Sequence, residues 1–142
     1  CFERGHTYLA DGAAIAWIPP DLSLIGPDDL HRGKAIIDAS AGELRGDVAL
    51  ATIMRARGHV IEASHWTLQY VGLRGTVQGR GLGTALVAPR LEAIDADGLP
   101  CGLTSSNPRN VSFYQRLGFE VVAEESTPDG EATLRPMARS AR

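Results

Sequence analysis

The sequence predicts a single α/β domain spanning residues 1–142, and three observations carry that expectation. A run of alternate glycines, Gln78-Gly79-Arg80-Gly81-Leu82-Gly83-Thr84, stands between a strand-like stretch (65–73) and an amphipathic helical one (82–95). Near the start, Asp11-Gly12 separates two apolar runs, a strong hairpin signal. Downstream, Ser106-Asn107-Pro108 opens a short helix that Gly118 closes, and strand-like sequence follows. The 142 residues, 44% apolar, are enough for one core, and nothing in them suggests a second.

Taken in order, His6 to Ala10 and Ala13 to Ile18 are the hairpin arms, with Tyr8 and Trp17 read as core. Pro19-Pro20-Asp21 ends the second arm, because proline cannot continue a central strand and restricts the residue before it. From Pro27 to Arg57 the apolar residues Leu30, Ile36, Ile37, Leu44, Val48, Leu50, Ile53 and Met54 recur at mixed three- and four-residue spacing. With Gly33, Gly42 and Gly46 as breaks, two or three short helices are expected there.

Trp66 is core, and Leu68, Tyr70, Val71 and Leu73 form the apolar part of the next strand. The helix after the glycines is expected to bury Leu82, Leu86, Leu91 and Ile94. It should kink at Pro89, which costs about 3 kcal/mol and clashes with the Ala85 carbonyl. Gly98 suits its C-terminal cap, and 99–105 reads as a strand. Asn107 or Ser106 caps the helix carrying Tyr114, and two last strands, 119–124 and 131–137, flank Thr127-Pro128-Asp129-Gly130.

Alternate glycines at a strand-to-helix junction make a phosphate cradle. Without a Cβ, Gly79, Gly81 and Gly83 let the main chain curl and approach a ligand, and the first N–H groups of the helix point at it. A P-loop would need Gly-Lys-Ser/Thr after four intervening residues, and no Lys follows. A dinucleotide fingerprint would need a third glycine where Thr84 or Leu86 stands. The remaining pattern, Gln-x-x-Gly-x-Gly, resembles the acetyl-CoA signature of the GNAT N-acetyltransferase superfamily. The block from Ser106 to Phe119 is similar to that family's Asn...Phe-Tyr-x-x-x-Gly-Phe segment. The upstream stretches Gly5 to Trp17 and His65 to Leu73 most resemble puromycin N-acetyltransferase-like bacterial proteins.

The resemblance implies a mixed central sheet flanked by helices, with acetyl-CoA as co-substrate and a small-molecule amine, aminonucleoside or antibiotic-like, as acceptor. It makes the hairpin the family's second and third strands, 65–73 its fourth and 99–105 its fifth. The family's first strand and two helices would then be missing before Cys1, an N-terminally truncated domain, and 21–62 would be a helical insertion.

By the same resemblance the fourth and fifth strands splay apart, the Val71-Gly72-Leu73 main chain holds the pantetheine arm, and a backbone N–H at Val71 faces the thioester oxygen. Gln78, Gly79, Arg80, Gly81, Leu82, Gly83 and Thr84 take the pyrophosphate. Asn107 and Asn110 either cap the helix or touch the arm. Tyr114, whose hydroxyl has an ordinary pKa near 10 and stays protonated at neutral pH, takes the family's donor role toward the departing sulfur; aromatic packing is the alternative. Phe113 is core or a wall beside the arm. Where relatives carry a carboxylate as base this chain has Thr67 and Thr104, leaving His65, Glu62 or ordered water. A lone histidine at a strand entrance is more often structural. Protein amine acetylation and a non-catalytic acyl-CoA-binding module stay open as alternatives.

A net charge of -3 and the lack of a basic cluster offer no footprint for nucleic acid. No apolar run approaches the roughly 20 residues that cross a bilayer, so a cytoplasmic location is expected and a membrane partner is not. With four His in no ligand spacing, no metal is expected. Cys101 reads as a buried small hydrophobe. Arg74 and Arg90 read as solvated, with Arg74 a weaker phosphate candidate. The oligomeric state is open, a homodimer included.

Overall fold

The Asp11-Gly12 turn folds β1 (Thr7–Ala10) onto β2 (Ala13–Ile18) as an antiparallel hairpin, with Gly12 at φ 78° where a left-handed residue is required. This is seen in a computed structural model that describes residues 6–20, 22, 27–59, 61 and 63–142. Cys1, Gly5, Asp21 and Glu62, considered above, lie outside the described residues, as does the side chain of Leu30.

The hairpin begins a sheet of order β1-β2-β3-β4-β7-β5, where β3 is Trp66–Leu73, β4 Cys101–Ser105, β5 Glu120–Val121 and β7 Thr133–Arg139. A further short strand, β6 (Glu125–Ser126), also pairs with β7. Among the described strands only the β3–β4 contact is parallel, so the sheet is mixed, as expected. The expected strand 119–124 is instead divided, because Phe119 turns into the core while β5 and β6 pair separately with β7.

Between β2 and β3 lie two helices, α1 (Pro27–Ala41) and α2 (Glu43–Gly58), divided at Gly42 with φ 86°. The other two expected breaks, Gly33 and Gly46, lie inside them. Gly46 serves a close approach: a Cβ there would collide with the Asp38 carboxylate of α1. Lys34 joins the two helices by bonding Asp38 at 2.7 Å and Asp47 at 3.0 Å.

Helix α3 (Leu82–Ala96) follows the glycine loop, and a short α4 (Val111–Arg116) follows β4. Helix α3 buries Val87, Leu91 and Ile94, an i, i+4, i+7 stripe, against Trp17, Trp66, Leu68 and Leu103 of the sheet. Leu82 and Leu86, expected in that stripe, are only partly buried. Pro89 does not end the helix. Both Pro89 and Ala85 are exposed, so the carbonyl that loses its partner faces solvent. Gly98, at φ 68°, closes the helix, with Leu99 N–H donating to the Ile94 carbonyl at 3.2 Å.

Two further expectations are corrected. Tyr8 is 43% exposed, because β1 is an edge strand with only one covered face. Arg90 is not simply solvated: its guanidinium lies 4.8 Å from the Trp66 ring centroid and 5.6 Å from that of Tyr8, and it donates to the Tyr8 hydroxyl. The buried Arg139 side chain forms a two-pronged bond to Asp95 of α3 at 2.5 and 2.7 Å and donates to the Leu117 carbonyl at 2.9 Å, tying β7 to both helices of this face.

Candidate active site

The site begins as a defect in β3. Its partners on β2 run in register from Leu73 opposite Ala13 to Tyr70 opposite Ala16, then resume at Leu68 opposite Trp17, leaving Gln69 as an extra residue. The bulge shifts the alternation by one. Trp66 and Leu68 point into the core before it, and Val71 and Leu73 point to the same side after it, while Tyr70 and Gly72 are exposed.

It also changes which edge each amide faces. Trp66 N–H donates to the Pro100 carbonyl, on the β4 side, at 3.0 Å; Arg74 N–H donates to the Gly12 carbonyl, on the β2 side, at 2.7 Å. Counting back from Arg74, Gly72 N–H faces β2, and Val71 and Leu73 N–H face the β4 side. There β4 has already left, since its pairing with β3 stops at Trp66↔Cys101 and Thr67↔Gly102. The open edge at Val71 and Leu73 is therefore a consequence of one extra residue and a two-residue parallel ladder.

The chain then winds through a 3-10 turn, Gly75–Val77, and Gln78 Nε2 reaches back to the Leu73 carbonyl at 3.0 Å. Gly79 and Gly81 adopt φ 74° and 79°, which L side chains rarely do, and Gly81 is the N-cap of α3. Among the described residues no side chain caps this end, which leaves the first-turn N–H groups of α3 without a side-chain partner there. Gly83 needs its missing Cβ for another reason: that atom would lie 3.3 Å from the Phe113 ring. Between the loop, the end of β3 and α4 is a cavity of about 520 Å³, lined on the α4 side by Asn110, Phe113, Tyr114 and Arg116.

Helix α4 is set by its cap. Asn107 Oδ1 accepts the Arg109 N–H at 3.0 Å and starts a 3-10 turn, Pro108–Asn110, that runs into α4; Asn110 makes no side-chain cap bond. The Tyr114 ring packs edge-to-face on Phe113 at 5.1 Å and on Phe119 at 6.2 Å. Burial pushes its phenol pKa upward, so the hydroxyl keeps its proton at neutral pH.

A second cavity, of about 550 Å³, opens on the other face of the sheet under α2, lined among others by Ile53, Arg57, His65, Thr67, Tyr70, Thr104 and Ser106. The two cavities share β3, and the β3–β4 gap lies between them.

Of the residues expected at the site, Val71, Leu73, Gln78, Gly79, Gly81, Leu82, Gly83, Thr84, Asn110 and Tyr114 line the first cavity together. Gly72, Arg80 and Asn107 do not: Gly72 points to the opposite face, Arg80 is exposed, and Asn107 is taken up in its cap. His65 lies in the second cavity, where Nδ1 bonds the Ala63 carbonyl at 2.8 Å. Trp17, read as core, is wholly buried. Arg116 was missed; its position three residues after Phe113 puts the two on one helix face, which was the available signal. Burial pushes the Cys101 thiol up to about 12, in keeping with an inert small hydrophobe.

A splayed parallel pair, a bulge and a glycine loop capping a helix define the class of fold, and comparison with known proteins identifies the family. Residues 11–119 match the acetyltransferase (GNAT) family, and the chain belongs to it. It is 27% identical to mycothiol acetyltransferase of Streptomyces scabiei over 143 residues, covering 83% of this chain and 46% of that protein. An uncharacterised N-acetyltransferase of Schizosaccharomyces pombe is 39% identical over 54 residues, 38% of this chain and 22% of that one. The chain thus spans less than half the length of either relative.

Among solved structures, arylalkylamine N-acetyltransferase 2 from Aedes aegypti superposes with a TM-score of 0.61 at 10% identity, over 92% of this chain and 68% of that one. An acetyltransferase from Corynebacterium glutamicum, described as histone acetyltransferase HPA2 and related, gives 0.59 at 18%, over 92% and 57%. These likenesses establish the fold. No helix among the described residues is long and apolar enough to cross a membrane, and no group of three His, Cys, Asp or Glu there could hold a metal.

Proposed function

We propose that the protein transfers an acetyl group from acetyl-CoA to the amine of a small molecule, directly within a ternary complex. The observation that carries this reading is the early end of the β3–β4 pairing, with a cavity under the glycine loop at the far end of β3 and a second cavity lined by Thr67 of β3 and Thr104 of β4. In this reading the main-chain N–H groups of residues 78–84 hold the diphosphate. The Val71 N–H donates to the thioester oxygen as negative charge develops on it. As the amine forms the new C–N bond and the C–S bond breaks, Tyr114 supplies a proton to the departing sulfur and recovers one from solvent. The amine's own proton leaves to water or to His65.

An aminonucleoside or antibiotic-like acceptor is supported by the resemblance of Gly5 to Trp17 and His65 to Leu73 to puromycin N-acetyltransferase-like bacterial proteins. A cytoplasmic bacterial setting suits that reading. A peptide amine is the nearby alternative. A second reading, a non-catalytic acyl-CoA-binding module, is favoured by one observation: Thr67 and Thr104 stand in the second cavity where a carboxylate base would serve. Calorimetric titration with acetyl-CoA, followed by thiol release against a panel of amines, separates the two. Binding with turnover supports the transferase; binding with no turnover on any amine supports the module.

A further inference from the structure

The second cavity carries a charge pattern that the reaction does not require. Among its described lining residues there is no Asp or Glu, whereas Arg57 projects from the last turn of α2. Its neighbour in that turn, Arg55, is fully engaged: it bonds Glu125 at 2.9 Å, the Ser126 carbonyl at 3.2 Å and Thr52 at 3.2 Å. Among the described residues Arg57 has no hydrogen-bond or ion-pair partner, so its guanidinium can take an anion. Ile53, Ile61 and Leu134 supply apolar wall, and Tyr70, 68% exposed on the strand, offers a ring face for stacking.

Resting on the reading that acetyl-CoA occupies the first cavity, we propose that the acceptor is an amine with an apolar or aromatic body that carries a carboxylate at its far end, held by Arg57. The planar guanidinium suits a carboxylate through two parallel hydrogen bonds. Polycationic acceptors are disfavoured by the same charge. Thr67, Thr104 and Ser106 leave the amine uncharged neighbours, which does not stabilise its ammonium form.

The test uses one aromatic body in two forms, para-aminomethylbenzoate and its primary amide, with spermidine as a cationic control. Thiol release should favour the carboxylate over the amide by about tenfold or more in kcat/KM, mostly through KM. Arg57→Gln should bring that ratio close to one with acetyl-CoA affinity unchanged, and Arg57→Lys should restore part of it. Equal use of the amide, preference for spermidine, or a ratio that survives Arg57→Gln would overturn the proposal. If neither aromatic amine is acetylated, the benzoate is titrated calorimetrically into CoA-saturated protein: binding abolished by Arg57→Gln upholds the anion site, and no binding overturns it. Failure of acetyl-CoA to bind would instead strike the assignment of the first cavity.

Discussion

Replacing Tyr114 by Phe removes one oxygen and little else. The ring keeps its edge-to-face contacts with Phe113 and Phe119 at 5.1 and 6.2 Å, and the hydroxyl makes no hydrogen bond to a protein group among the described residues. Unfolding temperature should therefore move by only a few degrees. Acetyl-CoA affinity should stay within about twofold, since uniform binding is untouched. A positioned proton donor contributes about 100- to 10,000-fold; Tyr114 is only partly buried and water can substitute in part, which places the loss near the lower end. The expected drop in kcat is about 100-fold, or about 2.7 kcal/mol in activation free energy.

A pH arm separates donation from packing. Burial raises the phenol pKa, so the wild-type kcat should decline only above its ordinary value near 10, and the variant should lack that decline. The assay is thiol release at saturating acetyl-CoA, with calorimetry alongside. A variant kcat within about threefold of wild type, at unchanged affinity, would refute the donor role.

The cradle and the scaffold behind it make separate predictions. Gly81→Asp puts a side chain at φ 79° and a negative charge beside the diphosphate, and Gly83→Asp drives a Cβ toward the Phe113 ring. Both should weaken CoA binding by tenfold or more, on the order of 1.4 kcal/mol, measured calorimetrically, and undiminished affinity would discard the cradle. The Arg139 guanidinium holds the Asp95 carboxyl below the usual carboxylate range. That depressed value means the stabilisation is complete above the unfolded carboxyl's pKa of about 4 and is lost as pH falls through the folded one. Asp95→Asn should cost roughly 3 kcal/mol at neutral pH, at the low end for a buried pair because Asp95 is 20% exposed. It should also flatten the acid limb of denaturant-derived stability; an unaltered limb would contradict the pairing.

The glycine run, the Asp11-Gly12 hairpin and the Asn107 cap could be read from local sequence because each is set by backbone conformations that few residues allow. Most of the first cavity followed, since its walls are consecutive with those motifs. Other features depend on what packs from elsewhere. Tyr8 and Trp17 look alike on alternating strands, yet the first is at the sheet edge and the second is covered by α3, which only strand order decides. Gly46 reads as a helix breaker until the approach of Asp38 is known. The Gln69 bulge leaves no local mark, though it sets the direction of Val71 N–H. Arg57 and the second cavity arise from α2 folding over the sheet across a long sequence separation.

A crystal structure of the protein with bound acetyl-CoA tests the central claim most directly. The account predicts the diphosphate against the main-chain N–H groups of residues 78–84, the thioester oxygen on Val71 N–H, and the Tyr114 hydroxyl within about 3.5 Å of the sulfur. A diphosphate bound elsewhere, or a Tyr114 hydroxyl turned away from the sulfur, would contradict it.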